Sequence, residues 1–117
     1  MSEWHDIGSL ELLERAGHLV ARVGGREIGA VLDRATNRPV GVRNRCPHHG
    51  APLCFGSVRD RVAGPPGRYE LEGMRVLRCP WHGWEFDLET GVCRDEPSMR
   101  AAVYPAKVVD GRVLVEA

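Results

Sequence analysis

Two nine-residue segments constrain this chain more than anything else in it: CPHHGAPLC at 46–54 and CPWHGWEFD at 79–87. Each opens on Cys-Pro and carries a histidine with glycine soon after it. The spacings are C-x-H at Cys46 and His48, then C-x-x-H at Cys79 and His82. Thiolate and imidazole together suit zinc, iron or copper, not calcium or magnesium. A Cys2His2 zinc finger groups its ligands as a cysteine pair followed by a histidine pair. Here each segment offers one of each, which suits two metal ions, one taking both cysteines and the other both histidines. Whatever the fold, it must bring residues near 46–50 and 79–83 together.

The remaining sequence bounds the fold around that requirement. A chain of 117 residues is enough for one domain, 1–117, with one modest core. Hydrophobic and charged fractions of 43% and 27% are ordinary for a folded soluble domain, and the formal net charge is zero. That balance argues against nucleic-acid and membrane-surface partners, which usually demand a basic excess. No run approaches the ~20 apolar residues of a membrane span, and the first residues lack a signal-type apolar stretch. A cytoplasmic location is expected, where thiols stay reduced, so four cysteines point to metal or redox chemistry rather than a disulfide framework. Charge is unevenly spread. Arg43, Arg45, Arg59, Arg61, Arg68, Arg75 and Arg78 make the middle basic, and Glu85, Asp87, Glu89, Asp95 and Glu96 make the following stretch acidic. These are solvated faces or a polar surface that orients a charged protein partner.

Apolar runs are short and punctuated by turn residues, which predicts an all-β chain, a small antiparallel sandwich or barrel. HLVARV (18–23) and REIGAVLD (26–33) flank Gly24-Gly25, a hairpin signal, and Asp110-Gly111 joins Val103–Val109 to Arg112–Val115 in the same way. Pro39–Arg45 reads as a strand leading into the first segment. Only SLELLERAG (9–17) reads as a helix, with Ser9 as its cap and Gly17 as its end. Gly64-Pro65-Pro66-Gly67 is a turn or loop. Tyr69–Leu71 and Met74–Leu77 around Glu72-Gly73 resemble a smaller hairpin, in an excursion that returns the chain to its starting place.

CPHHGAPL and CPWHGWEFDLETG closely resemble the two cluster-binding loops of Rieske proteins, in their ferredoxin and aromatic-ring-oxygenase branch. The tail, GVCRDEPSMRAAVYPAKVVDGRVLVEA, is similar to that family's last strands, with Tyr104-Pro105 and a Pro97 loop that would cover the cluster. The resemblance implies the Rieske iron–sulfur fold, a cluster-binding subdomain at about 45–88, and one [2Fe–2S] cluster per chain. It places Cys46 and Cys79 on the inner iron and His48 and His82 on the outer one. Gly50 and Gly83 would let the backbone turn tightly, so that amides reach sulfur. Three departures from the family pattern stand out. Ala51 and Trp81 occupy the places of the disulfide-forming cysteines of respiratory-chain relatives. Trp84 and Phe86 stand where those relatives present hydroxyl donors, so a low potential for the class, roughly −150 to 0 mV, is expected. Thirty residues separate His48 from Cys79, more than is usual in the family.

The resemblance further implies a one-electron carrier and no catalytic residues. Only His5, His18 and His49 remain once the cluster is built, and 117 residues offer no spare domain for the two-histidine, one-carboxylate iron of a Rieske oxygenase. The expected partners are a flavin-dependent reductase and a terminal oxygenase, met transiently by a monomer. Two alternatives stand beside this: a small subunit of a larger redox enzyme, as in nitrite reductases, and a zinc-stabilised interaction module. His49 is read as an exposed non-ligand, His5 and His18 as surface or packing residues, and Cys54 and Cys93 as free buried thiols. Trp4 is read as core, and Trp81 and Trp84 as a water-excluding cover, a docking rim or core packing.

Overall fold

The computed structural model describes residues 3–63, 67, 68 and 70–117. Among these described residues, ten strands form three antiparallel sheets. The first sheet orders β1 (Trp4–Ser9), β10 (Arg112–Glu116) and β9 (Ala106–Val109). The second orders β2 (His18–Val23), β3 (Arg26–Asp33), β4 (Arg38–Arg43) and β8 (Val103–Tyr104). The third orders β5 (Ser57–Ala63), β6 (Glu70–Arg78) and β7 (Glu85–Asp87). The all-β expectation is borne out.

Both two-residue hairpins form where the glycine signals lie. Val23 pairs Arg26 across Gly24-Gly25, and Val109 pairs Arg112 across Asp110-Gly111, with positive φ at all four turn residues. That is the turn whose twist matches the strands it joins. The helix α1 (Leu10–Ala16) is also as expected: the Ser9 hydroxyl accepts the Leu12 N–H at 3.1 Å, and Gly17 donates to the Leu13 carbonyl.

Three expectations need correction. Val103–Val109 is not one strand. Pro105 interrupts it, because proline brings no N–H to a ladder, and the chain leaves β4 for β10 at that point. The Pro105 carbonyl still accepts the Glu116 N–H at 2.9 Å. Glu72-Gly73 is not a turn but lies inside β6. Asp60 pairs Arg75 and Val62 pairs Leu71, so β6 carries two extra residues there and the glycine marks a bulge. The hairpin is the longer β5–β6 pair, whose Ser57↔Arg78 pairing returns the chain beside Cys79. Residues 64–66 of the expected Pro-Pro turn, and Tyr69, lie outside the described residues. Finally, Trp4 is 40% exposed, with the Lys107 ammonium 4.0 Å from its ring centroid. It stands at the end of a strand paired only on one side.

Strand β3 organises the interior. Its last six residues are buried, and the two faces serve different clusters. Ile28, Ala30 and Leu32 join Ile7, Leu13, Val113 and Val115, while Val31 joins Val42, Leu53, Leu77 and Phe86. A fully buried Leu, Ile or Phe side chain stabilises the fold by about 1.5–3 kcal/mol. Cys46 and Cys79 sit on this second cluster with Cys54 and Cys93, and all four thiols are free. The Cys54 thiol lies 3.7 Å from the Val42 carbonyl and is pushed up to about 12, by burial and then by Glu27. Among the described residues no helix is long and apolar enough to cross a membrane.

Candidate metal centre

The two segments fold into the same turn. Cys46 donates its N–H to the Ala51 carbonyl at 2.8 Å, and Gly50 donates to the Cys46 carbonyl at 2.8 Å. Cys79 likewise donates to the Trp84 carbonyl at 2.8 Å, and Gly83 to the Cys79 carbonyl at 3.1 Å. Gly50 and Gly83 have φ of 76° and 72°, a region that suits glycine and strains other residues. The glycines therefore shape the turns, as expected. Their own amides close the turns and do not reach sulfur. The amides aimed at the Cys46 sulfur are those of His48 and His49.

Strand register brings the turns face to face. β4 ends at Arg43 just before the first, β6 ends at Arg78 just before the second, and β7 leaves the second paired back on β6. Cys46 and Cys79 are 2% and 3% exposed, with their thiols within hydrogen-bonding reach of each other. Burial, then the neighbouring Cys79, pushes the Cys46 thiol above its ordinary range despite the two amides. The histidines lie further out. His48 is half-buried and His82 exposed, with ring centroids 5.4 Å apart and nearly perpendicular. Trp84 stacks on His48 at 3.9 Å and 21°. Burial and the nearby His49 and His82 depress the His48 pKa, favouring a neutral imidazole.

Two observations test what this donor set fits. The Nδ1 atom of His48 is shut away from solvent and has no hydrogen-bond partner. A buried nitrogen without a partner is costly, and a metal ion relieves that cost. The donors also divide by kind. The His48, His49 and His82 nitrogens lie within 4.8 Å of one another, and no described trio mixes thiol with imidazole at that spacing. A single tetrahedral zinc would need all four donor atoms about 3.5 Å apart. Buried sulfurs and outlying nitrogens in two separate groups fit a two-metal centre with both thiols on one ion and imidazoles on the other.

His49 is exposed, as expected, yet its ring lies 3.9 Å from that of His48 and 5.0 Å from that of His82. Trp81 is 57% exposed and rims the site, while Trp84 covers it. His18 packs against Phe55 at 4.2 Å, away from the histidine group. The Asp95 carboxylate accepts the Glu85 N–H at 2.8 Å, which ties the exposed Pro97 segment to the end of the second turn. Arg45 and Arg78, read from the sequence only as part of the basic stretch, also border the site: their guanidiniums lie against Gly50 and Gly83. Their signal was visible, since each half-site begins Arg-Cys-Pro. A cavity of about 590 Å³, lined by Arg38, Arg75, Asp87 and Glu89, opens beside the start of β4 and the middle of β6 and contains none of the Cys or His residues of this site.

Matched turns on an all-β frame, with thiols inside and imidazoles outside, are the arrangement a mixed-ligand iron–sulfur protein needs. Residues 3–105 match the Rieske [2Fe-2S] domain family, and the chain belongs to it. Its cofactor is thus a [2Fe–2S] cluster, and one-electron transport is its chemistry. Methylxanthine N3-demethylase NdmB of Pseudomonas putida is 32% identical over 100 residues, covering 81% of this chain and 24% of that protein. The chain spans about a quarter or less of the length of the curated relatives it matches. Among solved structures, a putative NADH-dependent nitrite reductase small subunit from Mycobacterium tuberculosis superimposes with a TM-score of 0.81 at 23% identity. That match covers 100% of this chain and 96% of the other. A chain from the complex of reduced oxygenase and oxidized ferredoxin in carbazole 1,9a-dioxygenase gives 0.66 at 23% identity, covering 96% and 91%.

Proposed function

We propose that this chain is a Rieske-type ferredoxin that takes single electrons from a flavin-dependent reductase and passes them to a terminal oxygenase. Cys46 and Cys79 hold the inner iron and His48 and His82 the outer one. The observation that carries this assignment is the division of donors into a buried thiol pair and an outlying imidazole group with an unpartnered Nδ1. When bound, the cluster supplies reversible one-electron chemistry. The chain's own residues do the rest. Cys46 and Cys79 bring two negative charges, so the oxidised site is neutral and accepts an electron more readily than an all-thiolate site. Trp84 shields one face of His48 from water. The exposed His82 edge gives a partner close approach.

A second reading has its own support: the small-subunit likeness covers the whole chain with the higher TM-score. In that reading the same centre serves inside a larger assembly. Co-purification separates the two, since a carrier elutes alone and a subunit elutes with its enzyme.

The first test is EPR of the dithionite-reduced, anaerobically purified protein, with iron and zinc quantified on the same sample. The proposal expects about two irons per chain and a signal of mixed Cys/His ligation. An EPR-silent sample with about one zinc per chain overturns it in favour of a binding module.

A further inference from the structure

Four arginines are matched with carboxylates, Arg15 with Glu11, Arg61 with Glu85, Arg75 with Asp33 and Asp60, and Arg112 with Asp6, while Arg34, Arg59 and Arg100 bond a carbonyl or hydroxyl oxygen. One surface gathers four arginines that have no such carboxylate among the described residues. A groove of about 260 Å³ runs from the β2–β3 turn along the end of β4 to Gly50, lined by Arg22, Arg26, Arg43 and Arg45. Among the described residues none of these four has a carboxylate within 4.0 Å. Arg22 reaches only the Gly25 carbonyl, at 3.4 Å. The single groove acid, Glu27, already accepts the Asn44 amide at 2.9 Å. Four cations thus face one engaged carboxylate, in a chain of zero net charge.

The position of the groove matters as much as its sign. The Arg45 guanidinium carbon is 3.7 Å from where a Gly50 side chain would begin, so the groove abuts the turn that carries His48. The groove is open, and Arg22, Arg26 and Arg45 are exposed. A small anion would be poorly enclosed there and would satisfy one or two guanidiniums. Several carboxylates spread along a surface would satisfy all four by forked hydrogen bonds. Pairing of this solvated kind raises encounter rates and sets orientation more than it adds affinity, which suits a short-lived contact.

We propose that this groove docks an acidic patch of the redox partner, a surface bearing several Asp or Glu side chains, and so seats that partner beside His48 and His82. The inference rests on the carrier reading above. The test uses the cluster-loaded protein and its Arg26→Glu/Arg43→Glu variant, with a fluorescein-labelled oligoglutamate peptide as the acidic probe. Anisotropy at about 20 mM salt should show peptide binding, weakened about tenfold by the variant and lost at about 0.3 M salt. In stopped-flow, oxidation of the reduced protein by anionic ferricyanide should slow as salt rises, and cationic hexaammineruthenium(III) should not. Peptide should compete with ferricyanide, and the variant should lose the ferricyanide salt dependence while its EPR spectrum stays that of the parent. Equal peptide binding by parent and variant overturns the proposal. So does displacement of the peptide by inorganic phosphate at equal concentration, which would assign a small-anion site. Absence of any oxidisable signal would instead sink the carrier reading, and the peptide measurement still reports on the groove. Arg45→Gln, which removes one charge without reversing it, should give a smaller loss in the same direction.

Discussion

Asp33 is 4% exposed and closes β3 with a fork from Arg75 at 2.8 and 3.2 Å, joined by the Ala35 N–H at 3.0 Å. Burial alone would raise its carboxyl pKa, but the Arg75 hydrogen bonds, the Ala35 amide and the Arg75 charge outweigh it and hold the value below the ordinary range. The unfolded chain therefore binds this proton more tightly than the folded one. The stabilisation is complete above about pH 4 and is lost as pH falls through the folded value. Asp33→Asn should cost about 2–3 kcal/mol at neutral pH in urea unfolding, and the gap to the parent should close on acidification below about pH 4. The pair joins the second and third sheets, so its loss should loosen the frame beneath the metal centre. His82→Cys reads the centre itself. If His82 holds the outer iron, a thiolate there adds negative charge, and the potential should fall with a changed visible spectrum. An unchanged potential and spectrum would remove His82 from the ligand set.

The two turns are the elements on which function depends, and their glycines can be tested directly. A Cβ at Gly83 would sit 2.6 Å from the Arg78 guanidinium at a φ of 72°. Gly83→Ala should destabilise the protein by about 1–2 kcal/mol and lower cluster occupancy, measured as iron per chain after purification. These turns were the most legible part of the sequence, because Cys, Pro, His and Gly each constrain the backbone or the chemistry locally. The hairpins at Gly24-Gly25 and Asp110-Gly111 were legible for the same reason. Strand β1 was not, since its pairing of Trp4 with Glu116 joins the two ends of the described chain and leaves no local trace. Neither was the bulge in β6. Glu72-Gly73 carries a turn signal, and only the partner strand β5 decides that the chain continues straight on. Pro105 was read as part of one strand, although its missing N–H marks the place where the chain changes sheets. The histidine group, finally, was legible in its ligands but not in its company. Nothing in the spacing tells that Trp84 would stack on His48 or that His49 would join the group.

For the whole molecule, Trp84 and Phe86 bring no hydroxyl donor to the candidate centre, and a low potential is the expected result. Phe86 is 1% exposed and apolar, and Trp84 presents its ring face to His48. With less stabilisation of the reduced state, the midpoint potential should fall at roughly −150 to 0 mV in a redox titration. A value near +300 mV would show that other donors compensate. Removing the cluster should lower the thermal midpoint by mass action, because bound metal stabilises only the folded chain. The loss should nonetheless stop short of unfolding. Each turn is closed by main-chain hydrogen bonds of its own, a source of stability besides the metal. Small zinc modules, by contrast, fold only when metal arrives. Here strands and main-chain turns supply a frame of their own, so delivery of iron is expected to be a step separable in time from the making of the fold.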